Sequence, residues 1–292
     1  MDRSSSAGGA FWIVLAYVLW GVLPLYWKLL APVQPMHILS FRIVFSLLFT
    51  GIILLLRGNR AWLALFTSAG ICVSVILAAL AITVNWGLYI WAVNTGHAIE
   101  ASLGYYINPL VSVALGLVFF RERLSVLQWA AFGMAAAGVA VMTILSGVFP
   151  WASLGLALSF GFYSLIKKKI AASSLESLGA ETLAALPAAV FLLLYPPRRL
   201  EYLSGLSLPL WAGIAVCGAV TVLPLYCFAR GVKLLPLSAV GFIQFINPTF
   251  VFLLGIFVFG EKFPVHNTAA FVFIWAAVIL YSVSLLRGGK NV

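Results

Sequence analysis

The sequence predicts an all-α polytopic membrane protein whose ten transmembrane helices form two inverted five-helix repeats. Of its 292 residues, 64% are hydrophobic and 8% are charged, whereas an ordinary soluble domain is about 25% charged. Apolar stretches of the length that spans a bilayer, about 20 residues, recur along the whole chain. A motif from the first half also returns in the second half. These observations exclude a soluble globular domain.

The ten predicted spans follow one another with short connecting loops. They lie at roughly 10–30, 35–56, 69–93, 98–120, 125–146, 150–167, 178–196, 207–229, 236–259 and 265–286. The sixth span is the shortest, and it runs into three consecutive lysines. The polar start "MDRSSSAGG" lacks the features of a signal peptide.

The basic residues are distributed unequally between the two predicted sides of the membrane. With the N-terminus in the cytoplasm, twelve lysines and arginines, including the three at 167–169, fall on the cytoplasmic side and four on the other. Such an excess marks the cytoplasmic side of membrane proteins. We therefore expect a multi-pass protein of the cell (inner) membrane with both termini in the cytoplasm. The net charge of +10 reflects this bias, and no nucleic-acid partner is expected.

The internal repeat joins "SLGYYINPLVSVALGLVFFRERL" to "GFIQFINPTFVFLLGIFVFGEKF" at a shift of 139 positions. Its matched residues include Asn108 with Asn247, Pro109 with Pro248, Phe120 with Phe259 and Glu122 with Glu261, and at a shift of 140, Trp20 with Phe160, Gly21 with Gly161 and Lys28 with Lys168. We predict one repeat at 1–147 and a second at 148–292. Because five spans is an odd number, the second repeat is inverted, as in many secondary transporters.

Both Asn-Pro pairs are predicted near the bilayer centre. A proline inside a helix removes one backbone hydrogen bond, at a cost of about 3 kcal/mol, and the freed carbonyl needs a neighbouring helix or a wet cavity. We expect helix breaks or gates at Pro109, Pro248 and, in span eight, Pro224. A kink that serves only helix packing is the alternative for a single proline, and the symmetric pair favours a functional break.

The stretch "NWGLYIWAVNTGHAIEASLGYYINPLVSVALGLVFFRERL" (85–124) resembles the signature of RarD-type proteins of the drug/metabolite transporter (DMT) superfamily, which carry duplicated EamA domains. "WGVLPLYWK", "FRIVFS" and "GFIQFINPT" fit the same pattern, so the resemblance covers essentially the whole chain. It implies ten helices, cytoplasmic termini, a central cavity framed by both halves, and transport of small metabolites, often export. The RarD label is associated with chloramphenicol sensitivity, which does not establish a substrate. Asn247 departs from the pattern beside the ninth-span proline, which alters the polarity of the pocket.

Polar and aromatic side chains within the spans are the candidates for substrate binding, because polar groups are costly in hydrocarbon. Arg42 either holds an anionic substrate group, pairs with Glu100 or snorkels to the outer headgroups. The aromatic residues either line a pocket or belong to the interfacial belt, to which we assign Trp27. The full set of candidates is Trp20, Arg42, Asn85, Trp86, Tyr89, Tyr105, Asn108, Tyr163, Tyr226, Gln244 and Asn247.

All seven acidic residues are predicted at span ends or in loops, so the sequence does not contain a proton relay at the midplane. Glu100, Glu122 and Glu261 are the candidates for coupling or gating. For Glu122 and Glu261, simple termination of the span at the interface is an equal explanation. Exchange without ion coupling remains open.

The sequence as a whole predicts a secondary active transporter of a small organic metabolite or drug, working by alternating access, with export of amino-acid-like or aromatic compounds favoured. A carrier of cationic amines or quaternary ammonium compounds is the alternative. An enzyme is disfavoured because the histidines and cysteines lack catalytic or metal-ligand spacing, and no P-loop occurs. A channel is disfavoured because no rows of polar residues line a span. We expect a small-molecule substrate and a lipid bilayer as partners, no cofactor and no metal. A monomer suffices, and the oligomeric state is open.

Overall fold

The computed structural model describes residues 3–95, 97–147, 149–194, 200–260 and 268–288. The side chains of 3–5, 93–94, 98–100, 146 and 285–288 lie outside this description. Within these ranges the regular structure is helical and no strand occurs. The helices are α1 (Arg3–Leu29), α2 (Pro35–Leu56), α3 (Ala61–Ala64), α4 (Ala69–Asn94), α5 (Ala98–Phe119), α6 (Val126–Ser146), α7 (Trp151–Lys169), α8 (Ser174–Leu194), α9 (Leu208–Gly231), α10 (Leu237–Gln244), α11 (Ile246–Phe257) and α12 (Thr268–Gly288), with a 3₁₀ turn at Glu201–Gly205.

Eight segments of the described chain are long and apolar enough to cross a membrane, which makes this a multi-pass membrane protein. They are α1, α2, α4, α5, α6, α8, α9 and the stretch Leu237–Phe257, which comprises α10, α11 and the residue between them. Two further long helices are not among these eight. α7 carries three lysines in its last turn, and the side chains of α12 are described only as far as Ser284, which leaves the apolar segment Thr268–Ser284.

Helix ends follow signals in the sequence. Ser125 caps α6: its hydroxyl accepts from the backbone N–H of Gln128 at 3.3 Å, and the Gln128 side chain accepts from the backbone N–H of Ser125 at 2.9 Å. This reciprocal pair is a capping box. Gly147 ends the same helix with φ of 66°, a left-handed conformation that glycine adopts without steric cost.

The prolines affect their helices unequally. α5 passes through Pro109 and α9 passes through Pro224 without interruption, so the breaks predicted at these two residues are absent from this structure. Only near Pro248 is the helix divided, at Phe245 between α10 and α11. Proline removes a single hydrogen bond, and α5 stays helical despite that loss. The chain packs closely at this point, since a Cβ on Gly241 of α10 would lie 2.7 Å from the Pro109 carbonyl oxygen.

The centre of the bundle is an aromatic core between α1, α7 and α9. Tyr163 stacks on Phe228 with ring centroids 6.0 Å apart, and Trp20 meets Phe160 edge-on at 5.7 Å. Tyr17 also lies in this core and is 1% exposed. Around it, α5 packs on α7 and α10, α2 on α8, and α6 on α12. The core therefore connects the first half of the chain to the second.

A buried ion pair corrects the sequence-based assignment of Lys167 to the cytoplasmic surface. Lys167 is 0% exposed and bonds to Glu181 of α8, which is 3% exposed. Lys167 also donates to the Ser177 hydroxyl at 2.7 Å, and the Tyr163 hydroxyl donates to the second Glu181 oxygen at 3.3 Å. Glu181 lies two turns inside α8 and not at a span end. The long lysine side chain makes this possible, because it reaches back from the last turn of α7.

Removing one partner of this ion pair should destabilise the fold far more than removing both. Lys167→Met leaves the Glu181 carboxylate buried without its counter-charge, which we expect to cost roughly 3–5 kcal/mol. Lys167→Met/Glu181→Met replaces the pair with apolar groups and should recover most of that loss. Thermal melting of both variants in detergent checks this. Equal melting temperatures for the single and the double variant would contradict it.

Candidate functional site

A cavity of about 140 Å³ lies between helices from both halves of the chain. Its wall is formed by the C-terminal halves of α1 and α4, the N-terminal halves of α2, α5 and α7, and residues around the break between α10 and α11. The lining residues are Tyr17, Trp20, Leu23, Pro24, Trp27, Arg42, Ile82, Asn85, Trp86, Tyr89, Gly104, Tyr105, Asn108, Leu156, Phe160, Gln244, Asn247 and Val251. The wall is therefore mostly aromatic and apolar, with four amides and one cation.

Arg42 supplies the cation. Its guanidinium carbon lies 4.1 Å from the ring centroid of Trp86 and 4.8 Å from that of Trp27. Its Nε donates to the Thr221 hydroxyl of α9 at 3.2 Å. Among the side chains that the structure describes, no carboxylate lies within ion-pair distance of Arg42. The charge is held between two aromatic faces and a hydroxyl, and its orientation into the cavity argues against snorkelling to the headgroups.

Asn108 and Asn247, which match in the repeat, both line the cavity. Asn108 is 6% exposed. Within the part of the chain that the structure describes, the side-chain oxygens of both asparagines are buried without a hydrogen-bond partner. A buried polar atom left unpaired costs about 1–3 kcal/mol, and such atoms are rare enough in native proteins to need an explanation. The two asparagines lie at equivalent positions of the repeat and line one cavity, so the pair stays a candidate for substrate binding.

The other two amides of the lining, Asn85 and Gln244, are engaged with neighbouring helices. Asn85 donates to the Leu156 carbonyl at 2.8 Å and to the Ser159 hydroxyl at 3.0 Å, which ties α4 to α7. Gln244 accepts from the Ser112 hydroxyl at 3.3 Å and so ties α10 to α5. Asn85 and Gln244 therefore shape the wall through contacts between helices.

Nine of the eleven substrate-binding candidates line this cavity: Trp20, Arg42, Asn85, Trp86, Tyr89, Tyr105, Asn108, Gln244 and Asn247. Within this group, the rings of Tyr89 and Tyr105 meet edge-on at 5.9 Å. The structure brings these side chains together, and their binding of a substrate stays a prediction.

Two candidates lie elsewhere. Tyr163 is fully buried in the aromatic core. The Tyr226 ring is 6.0 Å from that of Trp12, and its hydroxyl accepts from Arg230 at 3.2 Å. Both side chains are committed to contacts within the bundle and do not reach the cavity.

The gating candidates that the structure describes also lie outside the cavity lining. Pro109, Pro224 and Pro248 do not contribute to the wall. Glu122 lies at the far end of α5 and accepts from the backbone N–H groups of Leu237 and Ser238 at 2.6 and 2.8 Å. Glu261 and the side chain of Glu100 lie outside the described residues.

Sequence reasoning missed Tyr17, Trp27 and Phe160 as lining residues. Tyr17, Trp20, Pro24 and Trp27 recur every three or four residues, so they share one face of α1. That periodicity was a usable signal in the sequence. The structure places Trp27 in the cavity wall, which corrects its assignment to the interfacial belt. Phe160 aligns with Trp20 in the repeat and was detectable in the same way.

Comparison with known proteins identifies transporter relatives along nearly the whole chain. The EamA-like transporter family matches residues 7–144 and again 149–283. An uncharacterised transporter of Bacillus subtilis, YojE, is 40% identical over 98% of this chain and 97% of its own. The protein RarD of Streptomyces exfoliatus is 41% identical over 94% of this chain and 88% of its own.

The fold is also found among solved structures. One crystal structure covers 97% of this chain and 99% of its own with a TM-score of 0.71 at 18% identity, which shows a shared fold alone. The family match and the relatives extend over the helices that enclose the cavity. This chain therefore belongs to the EamA-like transporter family, and it is similar to the RarD proteins within it.

Proposed function

We propose that this protein is a secondary active transporter that exports small amino-acid-like or aromatic compounds across the cell (inner) membrane by alternating access. The observation that carries the proposal is the guanidinium of Arg42, which lies in an aromatic cavity between the two halves of the chain without a carboxylate partner among the described side chains. A cation of this kind in a membrane-embedded cavity is a binding site for an anionic group.

The predicted architecture of two inverted repeats, at 1–147 and 148–292, is the framework of this mechanism. In the predicted repeat, α1 corresponds to α7, α4 to α9, and α5 to α10 and α11 together. The α5–α7 contact then corresponds to the contact of α10 and α11 with α1. The α4–α7 contact corresponds to the contact between α9 and α1. All of these contacts occur. The α2–α8 and α6–α12 contacts map onto themselves, as expected for helices related by a two-fold axis.

Two close approaches between helices also match under this exchange. A Cβ on Gly161 of α7 would lie 2.7 Å from a side-chain atom of Val111, and a Cβ on Gly21 of α1 would lie 2.5 Å from one of Phe250. Gly21 aligns with Gly161 and Val111 with Phe250. This symmetry supports a protein that opens the cavity to one side of the membrane and then to the other.

The chemistry of the cavity favours a substrate that carries a carboxylate and a planar or apolar body. Arg42 forms charge-assisted hydrogen bonds to a carboxylate, while Trp20, Tyr89 and Tyr105 offer aromatic surface for packing. A cationic amine has less support, because the rings of Trp27 and Trp86 are already covered by the guanidinium. A positive ligand would also be repelled by that charge.

Replacing the charge of Arg42 tests this substrate class. Arg42→Met should lower counterflow of labelled aromatic amino acids in proteoliposomes roughly 10- to 100-fold, because the carboxylate then enters the cavity unpaired. Arg42→Lys should keep part of the activity, and Arg57→Met, which removes an exposed charge just after the same helix, should keep all of it. Counterflow of quaternary amines in preference to amino acids would contradict the assignment, as would an unimpaired Arg42→Met variant.

Substitution of Asn108 and Asn247 should reduce transport without reducing the stability of the fold. In Asn108→Ala/Asn247→Ala we expect counterflow to be lost with the melting temperature retained, because the removed oxygens have no partners to lose. Asn85→Ala should instead lower the melting temperature, since Asn85 makes two hydrogen bonds between α4 and α7. Counterflow that survives the double substitution would show that the Asn-Pro pairs serve packing alone.

A further inference from the structure

Polar contacts connect several loops on the face where α5, α7 and α9 end and α10 begins. The Lys168 ammonium, in the last turn of α7, donates to the carbonyl oxygens of Leu235 and, at 3.3 Å, Val232. Both carbonyls belong to the connection between α9 and α10. The Glu122 carboxylate accepts from the first two N–H groups of α10. We call Lys168, Glu122 and the segment 232–238 the latch.

The latch and the cavity occupy opposite ends of the same helices. The residues of α5 that line the cavity, at 104–108, come from its N-terminal half, whereas Glu122 follows its C-terminal end. In α7 the lining residues Leu156 and Phe160 precede Lys168 by two turns or more. The cavity is thus displaced toward one face of the bundle, and the latch ties the helices together at the other.

The packing leaves room for the carboxylate in this position. A Cβ on Gly116 of α5 would lie 2.6 Å from a Glu122 carboxylate oxygen and 3.1 Å from the backbone nitrogen of Ser238. The close approach of α5 and α10 at this point therefore depends on the glycine at position 116. Lys233 adds another link, since its ammonium donates to the Ala172 carbonyl in the connection between α7 and α8.

The repeat provides an internal comparison for Lys168. Lys28 aligns with Lys168, and Phe259 aligns with Phe120. Each lysine ammonium lies over the matching ring, at 4.5 Å for Lys28 over Phe259 and 5.2 Å for Lys168 over Phe120. Only Lys168 also bonds to carbonyl oxygens. Lys28, at the cavity end of α1, makes no side-chain hydrogen bond to the part of the chain that the structure describes. Among the described residues, carbonyl oxygens thus engage Lys168 but not its repeat equivalent Lys28.

We propose that Lys168 and Glu122 hold the face opposite the cavity closed, and that both must release the α9–α10 connection before the cavity opens to that face. The inference rests on the proposed alternating-access carrier and adds the contacts that set its resting state. Each contact joins a charged side chain to backbone groups that would otherwise have to be solvated when the helices part. Loss of either one therefore favours the open arrangement.

The test measures conformation and requires no substrate. Spin labels at Arg123→Cys, after α5, and Arg230→Cys, near the end of α9, occupy exposed positions on the two sides of the latch. Their distance distribution is measured by double electron–electron resonance in lipid nanodiscs, with Cys72→Ser as background. Lys168→Met should raise the longer-distance population roughly tenfold, the shift that loss of a charge-assisted hydrogen bond gives a two-state equilibrium.

Matched variants make the test specific. Lys169→Met removes the neighbouring charge, which contacts the Phe119 and Phe120 rings and bonds to no carbonyl among the described residues, and it should leave the distribution unchanged. Glu122→Gln and Gly116→Ala should both shift it in the same direction as Lys168→Met. If Lys168→Met does not fold, these two variants decide the question.

If the folded latch variants show the same spin-label distance distribution as the wild type, the latch is overturned, even if counterflow is normal. A shift in Lys169→Met as large as that in Lys168→Met would also overturn it. Absence of counterflow in the wild type, together with the expected shift in distance, would instead overturn the carrier and leave the latch in place.

Discussion

The placement of one cation inside an apolar bundle is the constraint on which the functional account depends. A charge in hydrocarbon is expensive, and this chain offsets the cost at Arg42 with two tryptophan faces and one threonine hydroxyl. Among the side chains that the structure describes, these groups solvate the guanidinium and no carboxylate neutralises it, so we propose that an anionic group entering the cavity pairs with this charge. The aromatic walls then favour a ligand whose remaining surface is apolar or planar.

The chain treats its other deeply buried cation differently. Lys167 is paired with Glu181 and further bonded to Ser177, so its charge is neutralised within the core and is not available to a ligand. A neutralised pair fits a structural role, whereas a cavity cation with no carboxylate partner among the described side chains fits a binding role. The symmetric asparagines extend the same contrast to neutral groups: Asn85 is satisfied and joins two helices, whereas the oxygens of Asn108 and Asn247 are left unsatisfied.

Much of the fold and of the cavity was predictable because hydrophobic length and the internal repeat are strong signals. The repeat singled out Asn108 and Asn247, and depth within the spans singled out Arg42 and Trp86. The behaviour of the prolines was not predictable: α5 continues through Pro109 while the helix divides before Pro248. Nor was the direction of Tyr163, because it depends on Glu181 and Phe228 from other helices. Such outcomes are decided by tertiary neighbours that a single sequence does not show.

The central claim is that Arg42 recognises an anionic group within the cavity. The most direct measurement is a binding titration of the purified protein, monitored by tryptophan fluorescence. One titration uses an aromatic amino acid, and the other uses its amide, in which the carboxylate is replaced by an uncharged group. Trp27 and Trp86 lie against the guanidinium and report its occupancy. The account predicts saturable binding of the acid and binding of the amide that is weaker by roughly tenfold or more. Equal affinity for both compounds, or tighter binding of the amide, would contradict it.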